Sequence, residues 1–537
     1  MSQTSGHFFI TKGDLTTLDC DALLLPTDVA MFVTRLWSGL VGRLPDDEGP
    51  LRDFASPPGW GDSVHTCLYS NPAGRAPAVW LTNVGHLSKG QLLDNVRAFL
   101  DEASKISRRS VPRLALPAVA TAAGGHEHDK GMVFESLVPF LSQYAAANPV
   151  DIVLVTRGRK HYAAAQRARK RLEGSSGATS VPSWDLGPRN ADLSRLSTEL
   201  AEACTLGQLV PFMGAGISLA AGVPGWQELL DELFIEAQIG SESDLKVFRE
   251  LDARDQASLV RQSYGNDDDY HGAISSRIRR ERHSLSHGLL ASLGTVENVT
   301  TNYDELFELA CGGSESELAV LPYEPVERDR SHRWLLKLHG TLAQPEDMVF
   351  TRDDYLGLPS RSGALFGLVQ AMLLTRHMLF VGYSLSDESF HKVLHEVRAA
   401  RRGTRRNVVQ ETNQDQLGTA LVLHAEPLFH KLFEQDLNIV PVAEPDEDLD
   451  TASRRFEIFL DHLAYQAADV SPFLLDPTYA SMLDPAEQKE AELLSEVQEH
   501  LDAGPIGMAL RSVLSRFGSP NADGWEMASE APPDAGA

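Results

Sequence analysis

One pattern recurs along this 537-residue chain and leaves few folds open to it: a short apolar run, a turn of small or polar residues, then helical periodicity. In the second half, Leu209–Met213 runs into Gly214-Ala215-Gly216-Ile217-Ser218. Val299-Thr300-Thr301 ends at Asn302-Tyr303-Asp304 and enters a helical segment, Glu305–Ala310. Trp334–Leu338 ends at His339-Gly340, and Met378–Val381 leads to Gly382-Tyr383-Ser384-Leu385-Ser386-Asp387. Runs this short read as buried strands, and strands alternating with helices predict a parallel α/β sheet. Such sheets place ligands beyond the carboxyl ends of their strands, where these turns fall. The first half repeats the pattern more loosely, with strands predicted at His7–Ile10, Cys20–Leu25, Ala78–Leu81, Arg113–Leu116 and Ile152–Val155 and helices at Leu92–Ser104 and Met132–Ala147.

Length alone calls for more than one core. The breaker-rich stretch 173–194 reads as a linker, so domains are expected at 1–172 and 195–445. A helical region is expected at 446–517 and a disordered acidic tail at 518–537. With 42% hydrophobic and 23% charged residues, no long apolar span and no basic-then-apolar start, the chain reads as soluble and cytoplasmic, without a membrane contact. A formal charge of −27 argues against direct nucleic-acid binding through phosphates. The arginine run Arg398, Arg401, Arg402, Arg405 and Arg406 is either a local basic patch or, more simply, the solvated end of a helix. Cys20, Cys67, Cys204 and Cys311 lie far apart with no C-x-x-C pair, so neither a disulfide framework nor a zinc ribbon is expected.

Each turn carries residues suited to nucleotide chemistry, and each has a simpler reading. The Gly214–Gly216 turn frees backbone N–H groups for a pyrophosphate, as do many tight strand–helix turns. Asn302 suits a ribose hydroxyl or a water, and Asp304 suits ribose hydroxyls, yet either could merely cap the next helix. His339 suits a general base or water-orienting role, although a lone histidine at a strand end is commonly just hydrogen-bonded. Their joint occurrence at four strand ends carries more weight than any one.

Taken in order, the G-A-G-I-S, T-T-N-Y-D, K-L-H-G and V-G-Y-S-L-S-D turns resemble the sirtuin-like family, and in particular its bacterial NAD-consuming anti-phage effectors of Thoeris-type and related defence systems. Val223-Pro224-Gly225-Trp226 resembles that branch's G-x-P-x-W element, and Gly418–His424 and Leu437–Val442 fit its last strands. The resemblance implies a doubly wound, Rossmann-like α/β domain with NAD, as substrate, across the strand ends and no metal. Gly214, Ala215, Gly216 and Ser218 would line the phosphates and nicotinamide ribose, and Gly382 and Ser384 the adenosine side. Asn302, Asp304 and His339 would lie near the scissile bond, with Asn302 and His339 carrying hydrolysis. The implied activity is an NAD+ glycohydrolase that depletes cellular NAD; the alternative is an NAD or ADP-ribose sensor or scaffold without turnover.

Protein deacylation is a weaker reading. Deacylase sirtuins carry a four-cysteine zinc module after the histidine block, whereas residues 340–381 here contain no cysteine. Thr301–Asp304 stands where they have glutamine–asparagine–isoleucine–aspartate, and Pro224-Gly225-Trp226 lacks the arginine of their proline–aspartate–phenylalanine–arginine element.

Toward the amino terminus, Lys12–Thr16, Asp21–Leu25 and the Leu116–Gly125 loop are similar to macro domains, which bind ADP-ribose, with Asp14 expected near adenine and Gly124 and Gly125 near the diphosphate. Pro26-Thr27-Asp28 replaces that family's asparagine-rich element and puts ribose recognition in question. The family also suggests a homo-oligomer and a partner such as a HerA-like ATPase.

Overall fold

The structure is a computed structural model that describes residues 5–44, 47–72, 76–121, 124–175, 184–312, 318–326, 333–404, 416–502 and 504–519. The described residues form two compact units, one drawn from 1–184 and 468–519, the other from 185–312 and 318–467.

In the first unit the strands are β1 (Phe8–Lys12), β2 (Ala22–Thr27), β3 (Phe32–Val33), β4 (Gly49–Pro50), β5 (Thr66–Ser70), β6 (Ala78–Asn83), β7 (Arg113–Pro117) and β8 (Asp151–Thr156). Six of them form a sheet in the order β1-β8-β7-β2-β6-β5, parallel throughout except for the antiparallel edge strand β5, while β3 and β4 make a separate short pair. The central strands are buried on both faces, which is why they read as unbroken apolar runs. Helices Lys89–Ala103, Lys130–Ala147 and Gly158–Ser175 belong to this layer; the first begins at a capping box between Ser88 and Gln91. Phe473, Tyr479 and Met482 lie in the same core as Phe99, Phe134 and Ile152, so the chain beyond 467 completes this unit.

The expected carboxyl-terminal helical region is thus divided. Helix Leu449–Ala467 belongs to the second unit, whereas helices Pro485–Glu499 and Pro505–Ser515 belong to the first. Within the expected linker, helix Gly158–Ser175 extends past 172, residues 176–183 are outside the described residues, and a helix begins again at Asn190. Ala122, Ala123, Arg405, Arg406 and the tail from 520 onward are also outside them. Helix Glu388–Thr404 carries the start of the arginine run, and Arg398 donates to Asp436 at 2.8 Å. Among the described residues, no helix is long and apolar enough to cross a membrane.

The second unit holds β9 (Leu209–Met213), β10 (Glu297–Thr300), β11 (Leu318–Leu321), β12 (Arg333–Lys337), β13 (His377–Val381), β14 (Gly418–Val422) and β15 (Leu437–Pro441). They form one sheet in the order β11-β12-β10-β9-β13-β14-β15, with every pair parallel. β9 lies in the middle, with β10, β12 and β11 outward on one side and β13, β14 and β15 on the other. The doubly wound reversal therefore lies between β9 and β13. Helices between β9 and β10 pack a core of their own around Leu230, Phe234, Ile274 and Phe350.

Candidate functional site

Strand register is what gathers the four turns. Met213 pairs with Thr300 and Val381, and Thr300 pairs with Lys337, so four adjacent strands end in one row. The ladder runs one residue further, with Leu338 N–H donating to Thr300 O at 3.0 Å, Thr301 N–H to Met213 O at 3.2 Å and Gly214 N–H to Val381 O at 3.0 Å. All the turns then leave the sheet at the same height: His339 on β12, Asn302 on β10, Gly214–Gly216 on β9 and Gly382 on β13.

At the reversal point the glycines serve a close approach between turns. Gly216 N–H donates to Gly382 O at 2.8 Å. A β-carbon on Gly214 would sit 2.5 Å from Gly382 O, and one on Gly382 would sit 2.5 Å from Ile217 N. Gly382 also has φ +60°, a left-handed backbone that disfavours a side chain. With the backbones so close, Ala215, Gly216 and Ser384 remain exposed, and the Ser384 hydroxyl meets that of Ser386 at 2.6 Å.

Asn302 is held by its amide nitrogen, which donates to Gly214 O at 3.2 Å and to Ser218 Oγ at 3.1 Å. Its Oδ1 is buried without a hydrogen-bond partner among the described residues. Buried acceptors are rarely left unmatched, so this oxygen is the natural receptor for a hydroxyl or a water. The Ser218 proton goes to Asp304 Oδ2 at 2.8 Å, and Asp304 Oδ1 accepts from Leu306 N–H at 3.1 Å. Asp304 therefore accepts from the first turn of the next helix and fixes Ser218. Burial raises the Asp304 carboxyl above its ordinary value, and nearby Lys337 opposes the rise.

His339 is 4% exposed. Its Nε2 lies 3.3 Å from Asp387 Oδ2, within ion-pair range though outside hydrogen-bond geometry, and the edge of Tyr355 meets its ring at 5.6 Å between centroids. Burial pulls the imidazole below its ordinary value of 6.5, and Asp387 pushes it the other way. A neutral ring at pH 7 is thus favoured, the form needed to accept a proton. The contact with Asp387 is unexpected from strand order. β12 and β13 stand three strands apart, roughly 14 Å, so the turn after β13 reaches back over the ends of β9 and β10.

The structure thus links Asn302, Ser218, Asp304 and Gly214 through hydrogen bonds, seats Gly382 on Gly216, and puts His339 one strand from Asn302. Trp226 packs against Phe350, with ring centroids 4.5 Å apart, in the helical core. Sequence reading gave no role to Asp387, quoted only as part of its turn, or to His287. The wholly buried His287 lies behind Ser218, its Nε2 3.5 Å from Ser218 Oγ and its Nδ1 2.7 Å from Ser284 Oγ. Because Ser284 gives its proton to Ile217 O at 3.1 Å, His287 donates from Nδ1 and turns a bare Nε2 toward Ser218. It lies inside a helix rather than at a strand end, so nothing in the apolar pattern marks it. No cluster of three or more potential metal ligands occurs among the described residues.

Comparison with known proteins agrees with this architecture. Residues 296–441, the stretch from β10 to β15, match the sequence profile of the SIR2-like domain. Defense-associated sirtuin 2 of Bacillus subtilis is 27% identical over 212 residues, covering 37% of this chain and 20% of that protein. The NAD(+) hydrolase ThsA of Enterococcus faecium is 30% identical over 219 residues, covering 38% of this chain and 43% of its own. That of Bacillus cereus (strain MSX-D12) is 29% identical over 201 residues, covering 35% and 40%. The chain spans less than half the length of each of these relatives. The second unit thus holds a match to the SIR2-like domain, over residues 296–441.

Proposed function

We propose that this chain is an NAD+ glycohydrolase, releasing nicotinamide and ADP-ribose, and that it acts in the cytoplasm as an anti-phage effector that depletes NAD. The observation that carries the reading is the state of Asn302: its amide nitrogen is doubly engaged, its oxygen is buried and unmatched, and His339 stands at the same height on the adjacent strand. Relatives that bear the name NAD(+) hydrolase support it.

In this reading NAD lies across the row of strand ends. The Gly214–Gly216 backbone faces the phosphates, with Gly382 and Ser384 toward the adenosine. The bond between the ribosyl C1′ and the nicotinamide nitrogen breaks, and its electron pair neutralises the pyridinium. Water, held by Asn302 Oδ1, forms the new bond to C1′ and passes a proton to neutral His339. Ser218 and Asp304 act one layer back, holding the Asn302 amide so that its oxygen points to the water. A homo-oligomer, a partner such as a HerA-like ATPase, and ADP-ribose binding by the macro-like first unit are part of the same proposal.

A second reading, a sensor that binds NAD without cleaving it, draws on one feature: Asn302 is 8% and His339 4% exposed, so both groups are covered in this conformation. Incubating the purified chain with NAD and following nicotinamide by chromatography separates the two. Catalytic release supports hydrolysis; saturable NAD binding with no release under any condition replaces it with the sensor.

A further inference from the structure

We propose that Asp387 is the positioning residue for His339, holding the Nε2–H tautomer so that Nδ1 is the ring nitrogen that takes the proton from water. The proposal rests on the hydrolase reading and deepens it. A neutral imidazole carries one N–H and one bare nitrogen, and which is which follows from the acceptor that the ring finds. For His339 that acceptor is Asp387 Oδ2, 3.3 Å from Nε2, with the two side chains 5% and 12% exposed. Nε2 has no hydrogen-bond partner among the described residues, so a small turn of the ring toward the carboxylate satisfies an otherwise stranded group.

The carboxylate itself has little freedom. Its Oδ1 accepts from Ser389 N–H at 2.8 Å, and the Asp387 carbonyl accepts from His391 N–H at 3.0 Å, which ties it to the start of helix Glu388–Thr404. The reach of the turn back across two strand ends is what delivers this anchored group to the histidine. The other groups here are the Tyr355 ring against His339, Tyr383 beside Asp387, and Arg254, whose guanidinium lies 5.7 Å above Tyr355 and pairs with Asp252 and Glu388. Asp354 immediately precedes Tyr355 in helix Arg352–Thr375. Of these, Asp387 alone stands at ion-pair distance from the imidazole.

The test is Asp387→Asn, which keeps an oxygen for Ser389 N–H but removes the charge. Nicotinamide release should fall about 10- to 100-fold in kcat, with KM changed less than about threefold. The acid limb of kcat against pH should move to lower pH, because losing the anion disfavours the imidazolium. Asp387→Glu should recover part of kcat. Nitrogen-15 NMR of the His339 ring should show the Nε2–H tautomer in the wild type and its loss in Asp387→Asn. Wild-type kcat with an unmoved acid limb, or an Nδ1–H tautomer in the wild type, overturns the proposal. If the wild type shows that Nε2–H tautomer yet releases no nicotinamide, it is the hydrolase reading that fails; the tautomer result judges Asp387 by itself.

Discussion

At Asn302 a single side chain shows how this site divides its work. Its nitrogen is fixed by protein and its oxygen is kept for something else, so substitutions should act differently on folding and turnover. Ser218→Ala removes one of the two acceptors of Asn302 Nδ2 and the donor to Asp304, leaving buried groups unmatched. We expect a loss of about 1–3 kcal/mol in denaturant-induced unfolding, together with lower nicotinamide release. His339 makes a pH prediction whose sign follows from burial. Its proton affinity is lowered, so the ring stays neutral through pH 7 and the acid limb of kcat should fall below pH 6.5. Stability follows the same direction for His339 and for His287, which burial also holds well below 6.5. An unfolded histidine takes up a proton as pH drops through 6.5 while these do not, so the unfolding temperature should decline below that pH and be level above it.

Among the elements, the strands were legible because short apolar runs bounded by small residues have few other uses. Leu209–Met213 is a strand over the range read from sequence, and Met378–Val381 starts one residue earlier, at His377. Register was not legible, since it depends on the partner strand. Only the pairing of Thr300 with both Met213 and Lys337 turns four separate motifs into one row. The His339–Asp387 contact was hidden for the same reason, because nothing local says that the turn after β13 crosses two strand ends. The glycines were singled out for a close approach to a ligand; in the structure Gly214, Gly216 and Gly382 make a close approach between neighbouring turns. Gly382→Ala should therefore cost roughly 2–4 kcal/mol, for a β-carbon there meets Ile217 N at 2.5 Å on a left-handed backbone. Gly363→Ala, whose β-carbon would meet nothing within 4 Å in helix Arg352–Thr375, should be neutral or stabilising by up to about 1 kcal/mol. Thermal unfolding of the two variants checks both.

Across the whole molecule, two parallel-sheet units share one chain, and the first is completed by residues that come after the second. Helical periodicity in 485–501 was readable, but periodicity does not name a partner, so the return of Phe473, Tyr479 and Met482 to the first core could not be read from it. Tyr479, 1% exposed in that core, gives the expectation at this scale. Tyr479→Ala should destabilise the first unit by about 3–5 kcal/mol, seen as faster hydrogen exchange in β7 and β8. The central claim belongs to the other unit: the strand-end row holds NAD with Asn302 and His339 at the nicotinamide end. The most direct measurement pairs nicotinamide release with NAD affinity by calorimetry for the wild type, Asn302→Ala and His339→Ala. The account predicts that both variants bind NAD within about threefold of wild type while kcat falls at least about 100-fold. Variants that hydrolyse NAD at the wild-type rate would contradict it.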